Sequence, residues 1–81
     1  MSQYFGKYRA LVSETNSNTK QIKVKCPTLF GNYTSAWCNP CFPSLQDSSL
    51  IKMPSIDDPV WIEFEQGDLS KPLWVGTWRL E

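Results

Sequence analysis

An 81-residue chain with 41% apolar and 20% charged residues has room for one modest core, since a chain this short buries only roughly 60–65% of the surface it exposes when unfolded. That balance excludes a second, catalytic domain and a disordered tail, and eight basic against eight acidic residues leave no net field to draw in a phosphate backbone or an anionic membrane. No apolar run approaches the ~20 residues that cross a bilayer, and Met1-Ser2-Gln3-Tyr4 lacks the basic-then-apolar order of a secretory leader. Synthesis in the cytoplasm, no membrane insertion and three reduced cysteines are therefore expected.

Taken in chain order, Tyr4, Gly6, Tyr8, Ala10 and Val12 alternate with a mixed face containing Lys7 and Arg9, which predicts a first strand. The polar stretch 14–19 supplies the turn of a hairpin. From Gln21 to Cys26 a period of two sets Ile22, Val24 and Cys26 against Lys23 and Lys25, and Pro27 ends that strand. Residues 28–49 carry prolines, serines and aromatics without a helical period and read as a long loop. A short third strand is expected over Leu50–Met53, stopped by Pro54. Val60, Ile62 and Phe64 alternate with Trp61, Glu63 and Glu65 in a fourth strand, and a tight connection follows with Gly67 at positive φ. Leu73 to Trp78 forms the fifth, with Leu73 and Val75 on one face and Trp74, Gly76 and Trp78 on the other. Five short strands in one 81-residue domain predict an all-β fold, a small barrel, because closing the sheet removes exposed edges.

The residues that carry chemistry give competing readings. Cys38-Asn39-Pro40-Cys41 has the spacing of a zinc clamp or a thiol-exchange motif, with Cys26 as a third sulfur. Three ligands fall short of four and the chain has no histidine, so free thiols acting as small hydrophobes are the preferred reading, with a zinc-stabilised adaptor as the alternative. Glu63 and Glu65 share a strand face, which for strand neighbours is a solvated side rather than an acid–base pair. Lys20, Lys23 and Lys25 near Tyr4, Phe5 and Tyr8 resemble the basic, ring-lined groove of a single-stranded nucleic-acid binder, against the simpler reading of a wet strand face. Trp61, Trp74 and Trp78 either point outwards as a partner surface or lie under the long loop. No catalytic residue and no cofactor is assigned.

The segment Met53 to Trp78 resembles the OB-fold domain at the base of the central spike in contractile phage tails and type VI secretion spikes. In that family a proline and a hydrophobe lead into an acidic turn, then a V-W-V-E-F-E-like strand, a G-D hairpin and P-hydrophobic-W-hydrophobic-G-x-W. Upstream, Gln21 to Pro27 resembles the family's basic alternating strand, and Ala36-Trp37-Cys38-Asn39-Pro40 its tryptophan-x-x-proline segment. Lys20 and Asp57 stand where the family commonly has glycine, and Cys38 and Cys41 where it has ordinary small or apolar residues. Many members continue into a β-helical needle, some through a lysozyme domain. This sequence stops at Arg79-Leu80-Glu81, so membrane puncture and cell-wall hydrolysis are not expected of it.

The resemblance implies a five-stranded OB barrel that is structural, not enzymatic. It would act in the virion tail baseplate, after assembly in the host cytoplasm, as a homotrimeric adaptor ring between hub or tube proteins and the spike. No nucleic acid is expected as partner. Trp37, Phe42, Trp61, Trp74 and Trp78 are the expected partner contacts, with Glu63 and Glu65 as rim charges. Ile22, Val24, Val60, Ile62, Phe64 and Val75 are the expected core, and Gly67 and Gly76 the positions where backbone geometry demands glycine.

Overall fold

The computed structural model describes residues 3–41 and 52–78. Its strands are β1 (Tyr8–Asn16), β2 (Gln21–Lys25), β3 (Asn39–Pro40), β4 (Pro59–Phe64) and β5 (Pro72–Thr77), with one short helix, α1 (Pro27–Phe30), and a 3₁₀ turn at Glu65–Gly67. They form a single curled sheet in the order β2-β1-β4-β5-β3, antiparallel except for the β3–β5 pair. The curl returns on itself at Cys38, which exchanges both backbone hydrogen bonds with Ile22 on β2, at 2.6 and 3.3 Å. The next residues, Asn39 and Pro40, pair with Leu73 and Trp74 on β5. The result is a small OB-like barrel with a five-stranded wall.

The third strand is not where the sequence pattern put it. Leu50 and Ile51 lie outside the described residues, and Lys52 and Met53 belong to no strand. The stretch read as featureless loop supplies both β3 and α1. Pro27 is tolerated at the first turn of a helix, where its missing N–H would be unsatisfied anyway, so the residue that ends β2 also starts α1. A four-residue helix is too short to leave a period in the sequence.

Inside the barrel, Ala10, Val12, Ile22, Val24, Cys26, Cys38, Val60, Ile62, Phe64 and Trp74 are buried together. The alternation of β2 and β4 places Ile22, Val24, Val60, Ile62 and Phe64 there, as their period of two requires. One end is closed by rings: Tyr4, Tyr8 and Phe30 surround Phe64 at centroid distances of 6.1, 5.8 and 6.3 Å. The amino-terminal segment is held over that end by the Tyr4 N–H donating to the Gly67 carbonyl at 3.0 Å. Gly67 has φ +74°, and a Cβ there would meet the Phe5 ring at 3.0 Å, so both backbone angle and space demand glycine.

The face of β5 departs from expectation. Consecutive residues Trp61 and Ile62 pair with Gly76 and Trp74, skipping Val75, so β5 carries one extra residue at this point. Such a bulge reverses the alternation beyond it and sharpens the local twist, and Gly76 accommodates it at φ +145°. Trp74 therefore points inwards, only 3% exposed, and Val75 is half-buried rather than part of the core. The Trp74 indole Nε1 donates to the Lys20 carbonyl at 2.9 Å, which ties β5 to the β1–β2 turn.

Lys20 has φ +61° and Asp57 φ +72°, and these are the two positions where the resembling family commonly carries glycine. The left-handed conformation costs an L-residue about 1 kcal/mol, and the Lys20 side chain makes no hydrogen bond or ion pair among the described residues. Lys20→Gly is expected to raise stability by roughly 0.5–1 kcal/mol in urea unfolding, whereas Lys20→Ala leaves it nearly unchanged. Equal effects from both substitutions would trace the change to the lost side chain instead of the backbone.

Candidate docking surface

On the outer side of β1 and β4, Arg9 lies directly across from Trp61 in the strand register. Beyond the bulge, Trp78 comes alongside Trp61, with centroids 6.4 Å apart and planes inclined at 53°. The Arg9 guanidinium sits over both rings, 5.3 Å from the Trp61 centroid and 4.8 Å from that of Trp78. At these distances the cation is attracted by the negative faces of the indoles. Two residues further along the same strand face, Leu11 is 40% exposed. Two residues before Arg9, Lys7 pairs with Glu63 at 3.5 Å. Trp78 Nε1 is buried and has no hydrogen-bond partner among the described residues.

A smaller cluster lies on β2, where Lys23 sits 5.0 Å over the Trp37 ring and 3.7 Å from Glu14. Of the expected contact residues, then, Trp37, Trp61 and Trp78 are half-buried on outer faces, while Trp74 belongs to the core. Phe42 lies outside the described residues. Glu63 remains on β4, whereas Glu65 has left the strand for the 3₁₀ turn, so the two carboxylates do not form one strand-face pair. Arg9 was not singled out by the sequence pattern, because its partners come from β4 and the end of β5, some 50 to 70 positions away.

The cysteines do not converge. Cys38 and Cys41 flank β3, and an odd spacing along extended chain sends their side chains to opposite sides, one buried and one exposed. Cys26 is buried, its Sγ 3.5 Å from the Arg9 carbonyl and from Thr28 Oγ1. All three are free thiols, and no group of metal-ligating residues occurs among the described residues.

The described residues thus form a five-stranded OB barrel with an aromatic, cation-bearing outer face. The model of the type VI secretion system/phage-baseplate injector OB domain matches residues 8–78, from the first residue of β1 to Trp78, and the chain belongs to that family. No curated protein matches the chain.

Burial pushes the Cys38 thiol up to about 11 from its ordinary 9.0, partly offset by the hydrogen bond with Ser35. The folded protein thus keeps a proton that the unfolded chain releases above pH 9, so this contribution is complete below that pH and is lost as pH rises towards 11. Urea unfolding of the wild type should show stability falling across that window by an amount on the order of 2 kcal/mol more than in Cys38→Ala. Parallel pH profiles for the two proteins would refute the assignment.

Proposed function

We propose that the chain is a structural component of a phage tail baseplate hub, an OB-fold adaptor that forms a homotrimeric ring linking hub or tube proteins to the central spike. The observation that carries this reading is the family match across nearly the whole barrel, since a structural role in a baseplate or spike is what that family supports. The outer face gives the reading a physical basis. A closed ring needs heterologous interfaces, and a rigid barrel wall bearing half-buried indoles offers a surface that loses little entropy on docking.

In this role the barrel makes and breaks no covalent bond. It acts by adhesion and by presenting a fixed geometry to the proteins above and below it. The virion tail baseplate is its proposed location, after assembly in the host cytoplasm, and nucleic acid is not proposed as a partner.

Light scattering of the purified protein is expected to give a mass three times that of the 9.3 kDa chain. Affinity purification from induced cells is expected to retain proteins identified by mass spectrometry as tail tube, hub or spike components. A strictly monomeric protein that retains none of them, or one that holds single-stranded DNA in a salt-dependent way, would defeat the proposal.

A further inference from the structure

Among the cations on the barrel's outer side, Lys7 and Lys23 each have a glutamate within ion-pair distance. Arg9, on β1 two residues beyond Lys7, is exposed and has no carboxylate partner among the described residues. Its guanidinium carbon lies close to both the Trp61 and the Trp78 ring, a cation–π contact that supplies no acceptor for its N–H donors. These ring contacts also restrain the long side chain, so less of its freedom remains to be lost when its donors are engaged. Trp78 Nε1 in the same cluster is buried and without an acceptor among the described residues, so it reports on the cluster from within and does not itself reach a partner.

A restrained fork of donors beside exposed Leu11 and two indoles complements an acceptor-only anion with apolar neighbours. We propose that this face docks an aspartate or glutamate side chain of a partner protein. Its carboxylate accepts the Arg9 N–H pair while adjoining apolar residues of the partner lie on Trp61, Trp78 and Leu11. The choice of a protein partner rests on the structural reading above. Glu63 and Glu14 are each matched by a lysine, so neither competes with an incoming carboxylate for Arg9.

The probe is the blocked tripeptide acetyl-Leu-Glu-Leu-amide, titrated at constant ionic strength into the ¹⁵N-labelled full chain. The Arg9 Nε–H and Trp78 indole N–H resonances report binding. Both are expected to shift saturably, and either Arg9→Gln or the Leu-Gln-Leu peptide is expected to weaken binding roughly tenfold or more, as loss of a charge-assisted hydrogen-bond pair does. Arg9→Lys, which keeps the charge and loses the fork, should also weaken it. Preserved dispersion of the backbone amides shows that the variants remain folded. Absence of saturable shifts, equal shifts from the glutamine peptide, or tighter binding of a thymidine oligonucleotide at the same resonances would each overturn the proposal. So would an Arg9→Gln protein that still assembles and retains tail components at the wild-type level, although the baseplate reading would then survive. A wild-type protein that binds the peptide as described but captures no tail protein supports this proposal and removes the baseplate reading.

Discussion

One extra residue in β5 governs both the inside and the outside of this barrel. Without Val75 as a bulge, Trp74 and Trp78, four positions apart on a strand, would share a face. Skipping Val75 in the pairing with β4 turns Trp74 into the core and leaves Trp78 beside Trp61 on the surface. The inward ring is buried in the core, and its indole N–H reaches the Lys20 carbonyl across the barrel. The outward ring completes the pocket of π-density in which Arg9 lies. The core and the Arg9–Trp61–Trp78 cluster are therefore two outcomes of one backbone irregularity.

Closure of the wall depends on a second economical device. β3 is only two residues long, yet the chain around it reaches β2 through Cys38 and β5 through Asn39 and Pro40. The Ser35 hydroxyl reinforces this seam by accepting from the Val24 N–H at 3.0 Å, while the Ser35 N–H donates to the Val24 carbonyl at 2.9 Å. These bonds occupy the backbone groups of β2 that would otherwise form an open edge, which in a small β-protein invites pairing with other chains. With that edge sealed, the outer wall presents side chains and not free backbone groups.

That division suits a protein of an injector baseplate. A structural role is consistent with a barrel stapled by a buried indole and capped by four aromatic rings, since close packing limits its freedom to deform. The free thiols fit the same picture. Cys26 and Cys38 are small apolar groups in the core, and burial holds the Cys38 thiol in its neutral form.

Much of this was legible in the residues. The period of two in Gln21–Cys26 and in Val60–Phe64 specified two strands and their inward faces, because a side chain's direction in a regular strand follows from its parity alone. The glycine demand at Gly67 was readable for a similar reason, since a tight connection has few backbone solutions. The resemblance from Pro54 to Trp78 pointed to the family that the model match then established. Three features needed the folded chain. The site of β3 and the existence of α1 were hidden because elements of two and four residues leave no periodic trace. The inward turn of Trp74 was hidden because a bulge exists only in the register between two strands, and parity reasoning on β5 by itself assigns the opposite face. Arg9 gained its importance only when β4 and the end of β5 came beside β1. Local alternation thus determined which short segments form strands, while pairing between distant segments decided which of their side chains the barrel keeps and which it offers.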